Sequence, residues 1–196
     1  MAAGTVQTFV DRLDGLGVGT TFVTPSTCSS AIAATIDPPA VGVPLPFPGV
    51  SMPDNVEIEP GPDELERAAT GVTPGSLGIA EYGTVLLEVT PDEAEAISLF
   101  GRTHLIVLNA SDIVADIRAG LEWFGPRARD GDASVIFATG PSATADMGAL
   151  VEGAHGPERV HVLVLEDTNE GAGKAATGHG STDATPASPS PPGGGK

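Results

Sequence analysis

Apolar and polar residues follow two rhythms along this chain. In TVQTFVDRLDGL, Val6, Phe9, Val10, Leu13 and Leu16 recur at helical spacing and predict an amphipathic helix with one buried face. GTTFVT follows as a short strand, and SSAIAATI as a helix opened by Ser26 or Thr27. AVGVPLPF carries two prolines, which predicts an edge strand or a loop rather than a central strand. The proline-rich run from Pro44 to Pro62 has no clear period. GPDELERAAT reads as a helix, with Pro62 in its first turn and acidic residues early.

The second half is more regular. SLGIAEYGTVLLEV is strand material broken by Gly83, and PDEAEAISLF is a short helix. THLIVLN, ASVIFATG and RVHVLVLE are nearly continuous apolar runs and predict fully buried strands. Between the first two, ASDIVADIRAGLEWFG predicts an amphipathic helix ending near Gly125-Pro126. Buried strands alternating with helices give an α/β fold with a mostly parallel sheet flanked by helices. No internal repeat is visible. From Thr168 to Lys196 the chain is Gly, Ala, Ser, Thr and Pro with almost no large apolar residue. The expected organisation is one domain over residues 1–167 and a disordered tail over 168–196.

Charge narrows the partners. The 196 residues carry 26 Asp and Glu against 9 Lys and Arg, a formal charge of −17. Lysine occurs only at Lys174 and Lys196. Such a surface repels nucleic acid and anionic membranes. A strongly acidic, lysine-poor chain also fits a halophilic-type protein, whose self-repulsion is screened by salt. The N-terminus has no basic region followed by an apolar run, and no apolar stretch approaches the ~20 residues of a membrane span. The expected location is the cytoplasm, and the sequon Asn109-Ala110-Ser111 is then incidental. Cys28 is the single cysteine, so this chain alone cannot build an iron–sulfur or cysteine-based zinc site. His104, His155, His161 and His179 lack metal-ligand spacing, and no metal is expected.

Candidate chemistry gathers at TGPSATADMGALVEGAHGP, Thr139 to Pro157. If the strand before it turns into a helix there, unpaired backbone N–H groups and the helix dipole favour a small carboxylate or phosphate. Gly140 allows close approach, Ser142 and Thr144 cap the helix or touch the ligand, and Asp146 suits the first turn while opposing a bound anion. In an α/β sheet this turn would lie outside the carboxyl ends of the strands. The stretch approaches the nucleophile elbow GxSxG, but Thr144 replaces the last glycine. His155, before Gly156-Pro157, fits either a cleft residue or a helix end. His104 and His161 read as structural. Glu81, between two apolar pieces, either lines a cleft or faces solvent at a strand end.

Two blocks carry a family resemblance: GVTPGSLGIAEYGTVLL (Gly71 to Leu87) and ATGPSATADMGALVEGAHGPERVHVLVL (Ala138 to Leu165). Together they resemble the LUD domain of the lactate-utilisation protein C (LutC/YkgG) family. The resemblance implies a fold like that of the NagB/RpiA/CoA-transferase superfamily. It implies a cluster-free accessory subunit of a complex oxidising L-lactate to pyruvate, with iron–sulfur clusters carried by partner subunits. The ligand-binding residues expected are Glu81, Gly83, Thr84, Gly140, Ser142, Thr144, Asp146, His155 and Gly156. No cofactor is expected in this chain, and no catalytic residue follows from the resemblance. Two positions depart from the family pattern. Ala143 stands where a basic residue is usual, leaving Arg102 and Arg159 as other sources of positive charge. Tyr82 stands where threonine is usual. A second reading is a stand-alone binder or transferase-like enzyme for a small phosphorylated or CoA-linked substrate, with Glu81 as nucleophile or base. A third is a domain that only holds other subunits.

Overall fold

The computed structural model describes residues 3–89, 94–129, 134–146, 149–152 and 155–166. The expected tail over 168–196 lies outside them. In chain order the elements are α1 (Ala3–Gly15), β1 (Gly19–Val23), α2 (Pro25–Thr35), β2 (Ala40–Gly42), β3 (Val56–Ile58), α3 (Pro62–Arg67), β4 (Thr70–Pro74), β5 (Leu77–Ile79), β6 (Thr84–Glu88), α4 (Ala94–Phe100), β7 (Thr103–Asn109), β8 (Ile113–Val114), α5 (Ile117–Arg129), β9 (Val135–Thr139), β10 (Ala143–Asp146), β11 (Ala149–Glu152) and β12 (Arg159–Leu165).

Six strands form a parallel sheet in the order β1-β12-β7-β4-β2-β3. The two longest apolar runs, β7 and β12, pair at its centre, as two-sided burial requires. One face packs on α2, through Ile32 and Cys28 against Val72, Leu105 and Leu163. The other face meets α1 and a second sheet, with Phe9, Leu13, Val85 and Leu87 packed against Ile106, Val162 and Val164. Burying Phe9 and Leu13 completely contributes about 2 kcal/mol or more each. The second sheet has the order β8-β5-β6-β9, and its outer face is covered by α5 through Ile117 and Trp123.

Several expectations change. The prolines of AVGVPLPF fall just after β2, so β2 pairs on both sides, between β4 and β3, and is not an edge. The strand ASVIFATG is not fully buried. As β9 it is the edge of the second sheet, and Phe137 is exposed there. Helix α2 starts earlier than Ser26 or Thr27: it begins at Pro25, and the Thr24 N–H donates to Thr27 Oγ1 at 2.9 Å. Helix α5 begins at Ile117, because Ile113–Val114 pairs as a strand with β5, and it continues past Pro126 to Arg129.

Candidate functional site

A cavity of about 160 Å³ lies between the two sheets. Its walls follow from strand alternation. His104 and Ile106 on β7 and Val160 and Val162 on β12 face it from the parallel sheet, and Val85, Leu87, Ile136 and Ala138 face it from β6 and β9. The C-terminal turn of α1 closes one side through Leu13, and α4 closes another through Ser98 and Leu99. His104 and Val160 are the second residues of their strands. The cavity therefore sits at the amino ends of the central parallel strands, not outside their carboxyl ends as expected. The second sheet is the physical reason. It covers this face and brings the end of antiparallel β9 down to the amino ends of β7 and β12.

Glycines let the walls approach. Gly71 on β4 has no room for a β-carbon, which would meet the backbone carbonyl of Ile97 on α4. This close approach sets α4 on the sheet, with Ser98 and Leu99 beside His104. Gly83 (φ 66°) and Gly140 (φ 74°) adopt left-handed backbone where β6 begins and β9 ends. Gly83 packs on Arg12 and Leu13, and Gly140 on Leu16, so both seat the second sheet against α1.

The polar groups of the cavity are few. His104 is 3 % exposed, and its Nε2 lies 2.7 Å from Thr73 Oγ1. Burial holds its pKa down at about 4, so the ring is neutral near pH 7. Ser98 Oγ donates to the Glu95 carbonyl at 2.7 Å. At the mouth, the Ser142 N–H donates to the Pro157 carbonyl at 2.9 Å, which ties the segment after β9 to the loop before β12. Gly156 packs against the Ser142 side chain, and His155 is exposed beside it. A groove continues outward past Leu99, Phe100, His155 and Glu158, and contains Arg102. Arg102 pairs with Glu158 at 3.2 Å, an exposed ion pair of little strength.

Of the residues expected from the sequence, Gly83, Gly140, Ser142, His155 and Gly156 come together at the cavity. Glu81 does not: it is exposed, outside the cavity, at the turn between β5 and β6. Thr84 points away, because Val85 faces the cavity. Its Oγ1 lies 2.7 Å from Thr139 Oγ1 on the outer face. The helix expected after Gly140 is replaced by the antiparallel pair β10–β11, with Thr144 opposite Val151 and Asp146 opposite Ala149. ATAD alternates apolar and polar residues with period two, which favours a strand over a four-residue helical start. No helix N-terminus is therefore available at Thr144 and Asp146 to bind an anion. Met147 and Gly148, between the strands, lie outside the described residues.

Sequence reasoning missed Ser98 and His104 as cavity residues. The signal for His104 was a polar residue in register with Ile106 and Leu108 on a buried strand. His161 faces the other layer, as a structural residue, with Nε2 2.9 Å from Thr21 Oγ1 and its ring in the space left by Gly19. Burial lowers its pKa also. Arg159 is engaged with Asp37 at 2.6 Å. Among the described residues no group of three His, Cys, Asp or Glu is placed to hold a metal, and no helix is long and apolar enough to cross a membrane.

Comparison with known proteins agrees with this architecture. The chain is similar to lactate utilization protein C of Deinococcus radiodurans, 34 % identical over 80 % of this chain and 77 % of that protein. It is also similar to the proteins of that name from Bacillus licheniformis, 34 % identical over 52 % of this chain and 44 % of that protein, and from Shouchella clausii, 29 % identical over 63 % and 55 %. The chain thus spans about half the length of these last two relatives. A crystal structure of a DUF162 family protein from Deinococcus radiodurans superposes with a TM-score of 0.65 at 27 % identity, covering 83 % of this chain and 97 % of that one. The model of the LUD domain matches residues 55–165, which include β4 to β12 and most of the cavity wall. The chain belongs to the LUD domain family.

Proposed function

We propose that this protein serves lactate utilisation as the cluster-free subunit of an assembly that oxidises L-lactate to pyruvate, and that its cavity binds a small carboxylate. The similarity to lactate utilization protein C across 80 % of the chain carries this reading. The cavity supports it: about 160 Å³ suits an acid of a few carbons and is small beside the ~300 Å³ or more of drug-sized pockets. Among the described residues no Lys or Arg lines its interior. An unpaired carboxylate buried among Val85, Ile106 and Val162 is strongly disfavoured. The acid therefore binds with its charged end at the mouth, beside His155 and the groove's Arg102, and its uncharged end inward. One cysteine cannot ligate an iron–sulfur cluster, so the electron-carrying clusters belong to partner subunits. The cytoplasm is the compartment this role requires.

The reading with Glu81 as a transferase nucleophile loses its residue, since Glu81 is exposed and apart from the cavity. The test is affinity purification of the tagged protein from its host in native salt, with mass spectrometry and iron analysis, beside growth of a deletion strain on lactate. Cysteine-rich, iron-containing partners and a growth defect are expected. Recovery of the protein alone, with normal growth on lactate, overturns the reading.

A further inference from the structure

We infer that His104 is the specificity-determining residue of the cavity, offering its free imidazole nitrogen to the 2-hydroxyl group of a short 2-hydroxy acid. This rests on the carboxylate reading above and names the substrate class for that site. The ring is 3 % exposed, lies on the cavity wall, and is held at Nε2 by Thr73 Oγ1 at 2.7 Å. Among the described residues its Nδ1 makes no hydrogen bond.

A polar ring atom of a buried residue is costly unless something bonds to it. Of the neighbouring walls, Ile106, Val85 and Val160 offer no partner, and the Ser98 hydroxyl donates to the Glu95 carbonyl instead. A ligand hydroxyl answers that need in either ring tautomer, since it both donates and accepts. If Thr73 donates to Nε2, Nδ1–H donates to the ligand. If Nε2–H donates to Thr73, Nδ1 accepts. A 2-oxo acid is matched by only the first arrangement, so the hydroxy acid is the better-matched oxidation state. The charged end stays at the mouth, where Arg102 and His155 stand. A site whose buried nitrogen needs a partner rejects the analogue that lacks the hydroxyl.

The experiment compares L-lactate with propionate, which lacks the hydroxyl, by calorimetry on the full chain in high salt. Wild type is expected to prefer lactate by about tenfold, the effect of roughly one hydrogen bond. His104→Phe, which keeps a ring but loses both nitrogens, is expected to bind the two acids alike, and Thr73→Val to lose most of the preference. In unmutated protein, 15N resonances of the His104 ring are read alongside, so the result does not depend on the variants folding. Nδ1 should shift with lactate and not with propionate. Equal binding of the two acids by wild type, a preference that survives in His104→Phe, or bound lactate that leaves Nδ1 unmoved overturns the role of His104 and leaves the carboxylate reading standing. Absence of binding by both acids overturns the two together.

Discussion

His104 and Thr73, on adjacent strands of the parallel sheet, meet at 2.7 Å on the face that looks into the cavity. Gly71 is the reason this pair exists in this form. It stands opposite His104 in register and contributes no side chain, so the imidazole reaches the next residue on that face, Thr73. The same missing side chain admits the backbone of α4 at Ile97. One glycine thus sets the polar pair, the helix and the cavity wall together.

The histidine makes stability pH-dependent. Its folded pKa, about 4, lies below the usual 6.5 because burial disfavours the charged ring. The unfolded chain takes up the proton first as pH falls. The contribution is therefore complete above about pH 6.5, declines between there and about 4, and is flat below. The loss is on the order of 3 kcal/mol, at about 1.4 kcal/mol per pH unit. His161 is shifted in the same direction and adds to the slope. Urea unfolding at pH 7 and pH 4.5 should show a smaller drop for His104→Phe than for wild type. Equal drops would remove His104 from the cause.

Gly71→Ala should destabilise the protein by roughly 1–3 kcal/mol, because the new methyl meets the Ile97 carbonyl, a backbone atom that cannot rotate aside. Gly125→Ala is the control: its β-carbon meets only the flexible end of Arg129, at 3.6 Å. Thermal melts of both variants check this, with a lower midpoint for Gly71→Ala alone.

Much of the fold was legible in the sequence where periodicity and burial agree. THLIVLN and RVHVLVLE are nearly continuous apolar runs, and they pair within the parallel sheet. The failures occurred where one local cue served two structures. Gly-Pro-Ser-x-Thr followed by Asp resembles a helix start, yet the alternation of the next residues made a hairpin. Glu81 between apolar pieces fits a cleft residue and a solvent-facing strand end alike, and the antiparallel pairing of β5 and β6 puts it, exposed, in the turn. The cavity needed tertiary information. Ser98 and His104 are six residues apart on different elements, and Gly156 joins them beside the Ser142–Pro157 hydrogen bond and Leu99.

Cys28 is fully buried at the base of α2, and burial raises its thiol pKa to about 11. The thiolate is the reactive form, so it is scarce at neutral pH and hidden as well. In native protein, labelling by iodoacetamide at pH 8 should be very slow, and it should become rapid in denaturant. Rapid labelling of the native chain would mean that the layer between α2 and the parallel sheet opens readily.

Gly156→Val tests whether the mouth, rather than the general acidity of the surface, governs binding. Gly156 is not in left-handed backbone. A β-carbon there meets Ser142 Cβ at 3.2 Å and Leu99 Cδ2 at 3.8 Å. The added branches of valine extend into the entrance while leaving the sheet core untouched. Thermal stability should fall by about 1 kcal/mol, since Gly156 is half-buried and the Ser142 side chain must give slightly. Lactate binding by calorimetry should fall by at least roughly tenfold, a steric loss of about 1.4 kcal/mol or more. Glu81→Gln, which removes one surface charge away from the cavity, should bind as wild type does. If the two variants bind equally well, the ligand does not pass Gly156, and the groove at Arg102 is not its entrance.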